Sequence, residues 1–371
     1  MRRGAGLVGL GEAWHETFAG PAEADDWWAG LAGRESAAAP ASFGPIAFLS
    51  CPFDPGHTAA RCELVVPQTV VGRARGAGWV TSWGDPPEGL GGPVAPPPDP
   101  GPVTFTPGAK DRAAWRAAVA AAVAAIAGGA LDKVVLARDE LARTAGPLTQ
   151  QWLLSRLAAA YPDTWTFAVA GLVGATPELL VRRDRGLVTS RVLAGTIRRR
   201  GGSDADDLAD ALASSSKDLA EHEFAVASVA GALEPYCSGM NVPETPFVLR
   251  LPNVMHLASD ITGVAQSGAS VARLAEAVHP SAAVCGTPTG AARDLIRGLE
   301  GFDRGRYAGP VGWLGADGDG EIGLALRCGL LESDRTLRLY AGCGIVADSD
   351  PELELAETDA KLLPMKQALS A

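Results

Sequence analysis

Residues 164–194 read TWTFAVAGLVGATPELLVRRDRGLVTSRVLA, and the fold turns on how this stretch is parsed. β-branched, aromatic and leucine side chains gather in Thr164–Gly171, Glu178–Arg183 and Leu187–Leu193, and Asp184–Gly186 has the composition of a turn. Strands joined by so few residues pair antiparallel, because a parallel crossover needs about a dozen residues or more. The stretch therefore predicts an antiparallel meander, with Glu178 held at the start of a strand by the fixed φ of Pro177.

Upstream, DKVVLARDEL (132–141) alternates as a strand with Lys133, Val135 and Ala137 on one face. Before it, AKDRAAWRAAVAAAVAAIAGGA (109–130) places Trp115, Val119, Val123 and Ile126 on one helical stripe, closed by Gly128–Gly129. Downstream, Asp204–Tyr236 reads as a pair of helices, and Gly315–Gly320 as a hairpin turn. Strand runs interleaved with helical blocks define an α+β protein. Prolines and glycines crowd residues 84–108, an expected exposed connector, while Pro45–Leu49 and Cys62–Val71 are strand-like runs in an N-terminal scaffold part, residues 1–108.

Composition removes several classes of function. With 43 acidic against 32 basic residues the net charge is −11, so a phosphate-binding surface for nucleic acid is not expected. The clusters Arg182, Arg183, Arg185 and Arg198, Arg199, Arg200 flank turns and read as solvated faces. The six cysteines (Cys51, Cys62, Cys237, Cys285, Cys328, Cys343) have no metal-ligand spacing, so reduced thiols in a cytoplasmic protein are expected, without a disulfide framework. MRRGAGLVGLGEAWHE lacks a sustained apolar run before Glu12, and no apolar stretch reaches the roughly 18 residues a membrane span needs. Neither secretion nor membrane insertion is expected, and a monomer is.

Three groups could carry chemistry. Asp350–Pro351 opens the last helix, and Glu354, Glu357 and Lys361 follow at i, i+3 and i+7 on one face. Two carboxylates one turn apart can hold a hard cation such as Mg²⁺, although a plain solvated acidic face has the same pattern. Glu221 and Glu223 lie about 200° apart around a helix, so one of them at most points inward; His222 between them reads as a structural hydrogen-bonding histidine. Lys133 and Glu178, on apolar strands, suit either a buried ion pair or an acid–base couple, since desolvation lowers a lysine pKa and raises that of a carboxylate.

The segments KVVLAR (133–138), ATPELL (175–180), LAGTIRRRG (193–201), SSSKDLAEHE (214–223), NVMHLAS (253–259), HPSAAVCGTPT (279–289), LALRCGLL (324–331), YAGCGIV (340–346) and ELELAETDAKL (352–362) together resemble the chorismate-utilising enzyme family. Within it, HPSAAVCGTPT and KVVLAR look most like isochorismate synthases. The resemblance implies one chorismate-binding domain over residues 1–371, with residues 109–371 as its catalytic core. It also implies a large α/β sandwich of two antiparallel sheets surrounded by helices.

Carried over position by position, the resemblance implies that Lys133 is the general base that activates water and Glu178 the general acid that protonates the departing C4 hydroxyl. Glu221 and Glu357, with Glu354, would bind Mg²⁺. Arg327, Tyr340, Gly342 and Gly344 would grip the enolpyruvyl carboxylate, His256 and Thr287 would line the pocket, Gly195 and Thr196 would meet the ring carboxylate, and Lys361 would balance the acidic cluster. A salicylate synthase, which also eliminates pyruvate, and a non-catalytic partner subunit of the same fold remain alternatives. The same metal and lysine would also suit a magnesium-dependent hydrolase.

Overall fold

The computed structural model describes residues 1–35, 44–74, 76–84, 95–198, 205–250 and 254–370. Arg199, Arg200 and Asp204 lie outside them, as do the side chains of Thr196, Arg198 and Glu221.

Among the described residues two large sheets form, every pairing in them antiparallel. The first has seven strands, in the order Gly286–Thr287, Lys133–Thr144, Thr336–Ile345, Cys328–Ser333, Leu172–Thr176, Trp165–Val169, with Val103–Pro107 also on Lys133–Thr144. The second, of ten, runs from Cys237–Asn241 through Val254–Ala265, Leu187–Arg198, Leu179–Asp184, Gly320–Leu324, Pro310–Gly315, Ile46–Ser50 and Cys62–Val66 to Trp14–Phe18, with Phe247–Arg250 on Val254–Ala265. The α+β expectation holds, with a third, three-stranded sheet (Gly6–Leu10, Thr69–Ala74, Ala77–Ser82) beyond the two expected. Strands of the N-terminal part thus extend the second large sheet.

Residues 164–194 are not one meander. Ala170 and Gly171, at φ +45 and +83, make a two-residue turn that sends the chain back as Leu172–Thr176. That strand escaped the sequence reading because all five of its residues are buried, which erases the alternation of a half-buried strand. The chain then crosses from the first sheet to the second at Pro177–Glu178. The turn at Asp184–Gly186 is as expected, with Arg185 and Gly186 at positive φ.

Two further corrections concern the N-terminal part. Val103–Pro107, inside the expected connector, is a strand paired with Glu140–Thr144; its prolines flank the ladder, and Pro107 closes it. Cys51 and Cys62 form a disulfide, against the expectation of reduced thiols. Ser50 pairs with Glu63 across neighbouring strands, so the cysteines one step further are opposed at a Cα separation of 3.9 Å; a separation of 11 residues in sequence hides this. Cys237, Cys285, Cys328 and Cys343 are buried thiols.

The helix Arg112–Ala127 follows the predicted stripe. Asp111 caps it by accepting from Ala114 N at 2.8 Å, and Trp115, Val119 and Ile126 are buried, each contributing roughly 2–3 kcal/mol of transfer free energy. The same hydrophobic cluster takes in Leu136 of the first sheet and Val181 and Ile322 of the second, so both sheets share one core. The helix pair appears as Ala205–Ser214 and Ser216–Leu233. No helix is long and apolar enough to cross a membrane, among the described residues.

Candidate active site

Glu178 sits where the chain changes sheets. Its N–H donates to Thr176 Oγ1 at 3.2 Å and its carbonyl accepts from Leu324 N at 3.2 Å, so the backbone is pinned from both sheets. The residue is 6% exposed. Burial raises the carboxyl pKa to about 8, against the opposing charges of Arg327, Lys361 and Lys133. At neutral pH this group is therefore an acid that still carries its proton.

The last helix, Pro351–Ser370, lines the same cavity as Glu178. Asp350 accepts from the N–H groups of Glu352 and Leu353, both at 2.9 Å, as the N-cap reading requires. This start directs Glu354 and Glu357 into the cavity. Glu354 accepts from Ser349 Oγ at 2.8 Å, and its pKa is raised by burial and next by the charge of Glu357. Lys361 Nζ lies 2.6 Å from Glu357 Oε1 and donates to Gly342 O at 2.8 Å, tying the helix to the strand Thr336–Ile345.

A third wall comes from the second sheet. The register slips between Ala194 and Thr196, leaving Gly195 as a bulge at φ +76. His256, opposite the bulge, makes a hydrogen bond with the Gly195 backbone, and its Nε2 is 3.4 Å from Arg327 Nη2. Burial, then the charges of Arg327 and Lys361, hold His256 well below the usual imidazole range, so the ring is neutral and Nε2 can accept. Arg327 is itself in the left-handed region, at φ +48, as strained residues at functional sites often are. A Cβ on Gly195 would come 3.0 Å from Asp218 Cβ. Gly195→Ala is therefore expected to cost about 1–2 kcal/mol, seen as a lower midpoint in denaturant unfolding.

One cavity is lined by Glu178, Gly195, His256, Arg327, Gly342, Gly344, Glu354, Glu357 and Lys361, nine of the expected residues from both sheets and the last helix. Gly342 leaves room there, since a Cβ would stand 2.8 Å from Leu136 O and 3.2 Å from the Tyr307 hydroxyl. Tyr340 is not in its wall; buried, it stacks on Tyr307 at 4.9 Å, and Tyr307 faces the cavity instead. Lys133 and its cross-strand partner Thr287 line a second cavity, with Asp132, Ser216, Phe224 and Asp348. Val346, Ala347 and Asp348 of its lining follow the strand Thr336–Ile345, so this cavity opens a few residues along from Val135 and Gly344, which line the first. Lys133 is 3% exposed, and its charge reaches Glu178.

Sequence reading missed Asp218, Tyr307 and Arg304 in the first cavity. Asp218 lies in the first turn of the helix Ser216–Leu233 and contacts its cap, Ser215, a position where an acidic residue is ordinary and signals no site. Tyr307 and Arg304 lie in a loop without periodicity. His222 is structural as expected, with Nε2 2.9 Å from Ser259 Oγ.

For a divalent cation, the described residues offer the oxygen donors of Glu354 and Glu357 on one helix face, and their mutual repulsion is what a cation relieves. No cluster of three or more candidate ligands occurs among the described residues. Glu221 belongs to the helix Ser216–Leu233, which walls both cavities through Asp218, Ser216 and Phe224.

Fold and site define an α+β protein with two large antiparallel sheets and a cavity that Glu178, a carboxyl whose pKa burial raises, shares with Glu354 and Glu357. Residues 96–370 match the family described as chorismate binding enzyme, and the chain belongs to that family. It is 42% identical over 261 residues to the isochorismate synthase DhbC of Bacillus subtilis, covering 67% of this chain and 65% of that protein. To the salicylate biosynthesis isochorismate synthase of Pseudomonas aeruginosa it is 41% identical over 268 residues, 71% of this chain and 56% of that protein. The match thus spans between about half and two thirds of the length of these relatives. MenF, the menaquinone-specific isochorismate synthase of Escherichia coli, superposes with a TM-score of 0.82 at 26% identity, covering 100% of this chain and 87% of that one. Anthranilate synthase component I of Streptococcus pneumoniae shares the fold, with a TM-score of 0.80 at 21% identity over 97% and 92% of the two chains. The resemblance and fold class expected from sequence are both borne out.

Proposed function

We propose that the chain is a magnesium-dependent isochorismate synthase: water adds at C2 of chorismate, the C4 hydroxyl departs as water, and the ring double bonds shift. The observation that carries this reading is Glu178, a buried carboxyl whose pKa of about 8 keeps it protonated in a cavity it shares with two carboxylates.

In this reading Lys133 takes a proton from the attacking water and Glu178 gives its proton to the leaving hydroxyl, so charge balances over the turnover. Both must reach one ring, across the two cavities. Arg327 would bind the enolpyruvyl carboxylate with its guanidinium fork, supported by the neutral His256. Gly195 and Thr196 would meet the ring carboxylate, the backbone of Gly342 and Gly344 would join Arg327 on the enolpyruvyl carboxylate, and Thr287 would line the pocket beside Lys133. Tyr340 would act by supporting Tyr307. Glu354, Glu357 and Glu221 would hold Mg²⁺, which when bound anchors the ring carboxylate and screens its charge. Lys361, on Glu357, would balance the acidic face. The whole chain would work as one unit, its N-terminal strands bracing the second sheet, and the product would serve menaquinone or siderophore and salicylate synthesis.

Incubating the protein with chorismate and Mg²⁺, with and without chelator, and resolving the products tests this. Metal-dependent isochorismate without pyruvate is expected. Salicylate with equimolar pyruvate would make it a salicylate synthase, and no turnover would favour a non-catalytic partner subunit. Glu357→Ala is expected to weaken Mg²⁺ binding by at least tenfold in calorimetric titration, since it removes one of the two described carboxylates.

A further inference from the structure

One edge of the lysine strand, Lys133–Thr144, is completed in pieces. Gly286–Thr287 pairs only with Lys133 and Val134, and Val103–Pro107 pairs only with Glu140–Thr144. In the gap, Val135 N donates to Cys285 O at 2.7 Å and Asp139 O accepts from Gly108 N at 3.1 Å. Two further bonds come from side chains: Arg304 Nη2 donates to Val135 O at 2.7 Å, and Ala137 N donates to Glu300 Oε1 at 2.6 Å.

Arg304 and Glu300 are themselves joined. Arg304 Nε donates to Glu300 Oε2 at 2.9 Å and Nη2 to Glu300 Oε1 at 2.5 Å, with both side chains 3% exposed or less. Arg304 Nη1 also donates to Val284 O at 3.0 Å, and the guanidinium lies 4.2 Å from the centre of the Phe53 ring. Four of its N–H bonds are therefore spent on protein although it borders the first cavity, which leaves little for a substrate.

We infer that the Arg304–Glu300 pair stands in for a missing strand, fixing the lysine strand at Val135 and Ala137 and so aiming Lys133, two residues before Val135. This rests on the functional reading for the role of Lys133. Arg304 and Glu300 are positioning residues; neither contacts the reacting atoms. A buried pair replaced as a whole by apolar residues of similar size commonly leaves stability unharmed, whereas removing one partner does not.

The double variant Glu300→Leu/Arg304→Met removes the pair without leaving an uncompensated charge. It is expected to melt lower than the wild type, because Ala137 N, Val135 O and Val284 O lose their buried partners, to lose at least tenfold in amide-exchange protection at Ala137, and, at a temperature where it is folded, to lose at least tenfold in kcat for isochorismate formation with KM for chorismate within about twofold. Wild-type kcat in a variant that has lost Ala137 protection would overturn the proposal. If the double variant does not fold, Arg304→Lys carries the test, since lysine keeps the charge but cannot bond Glu300, Val284 and Val135 together. The same fall in kcat at constant KM supports the proposal, and unchanged kcat refutes it. Should the wild type itself not turn over chorismate, the functional reading fails, while exchange at Ala137 still decides whether the pair holds the strand edge.

Discussion

Under the proposed mechanism Glu178→Gln is expected to lower kcat for isochorismate formation by about 10²–10⁴-fold, the usual contribution of a positioned general acid, while chorismate still binds. The amide fills the same space but has no acidic proton to deliver to the departing C4 hydroxyl. Steady-state kinetics with a parallel binding titration reads both quantities. A variant that keeps wild-type kcat would remove Glu178 from the mechanism. The raised pKa adds a pH signature: activity dependent on protonated Glu178 falls as pH rises through about 8.

Stability carries the same signature. The folded carboxyl binds its proton up to about pH 8, whereas in the unfolded chain it ionises near 4.5, the ordinary range of a glutamate. Between those values the native state holds more protons, so the wild type loses stability as pH rises through this window. At about 1.4 kcal/mol per pH unit the cost reaches on the order of 5 kcal/mol above pH 8. Glutamine does not titrate, so Glu178→Gln gains on the wild type as pH rises from about 5 to 8, which denaturant melts at the two pH values measure.

Lys133→Ala is expected to abolish hydration to a similar degree, about 10²–10⁴-fold in kcat. Mg²⁺-dependent chorismate binding should persist, because the carboxylate face of the last helix and Arg327 line the other cavity. Normal turnover by this variant would show that water is activated elsewhere. Loss of chorismate binding would show that Lys133 anchors the substrate instead.

Much of this site was legible as local pattern, and its limits were physical. The last helix could be read outright, since the N-cap Asp350 and the i, i+3, i+7 spacing of Glu354, Glu357 and Lys361 are short-range facts. Glu178 was legible as a strand residue after proline, but not as the point where the chain changes sheets, because Leu172–Thr176 is buried on both faces and shows no alternation. The division of the lining between two cavities, with Lys133 and Thr287 in one and Glu178 in the other, depends on packing between distant segments. So does the bond of Ala137 to Glu300, 163 residues away, which no spacing announces. The opposition of Cys51 and Cys62 likewise follows from strand register rather than from sequence separation.

The most direct test of the central claim is the mass of the isochorismate formed from chorismate and Mg²⁺ in ¹⁸O-labelled water. Addition of water at C2 with loss of the C4 hydroxyl predicts one labelled oxygen in each product molecule. Isochorismate without label would mean that the hydroxyl migrates within the substrate, and it would contradict the roles given to Lys133 and Glu178.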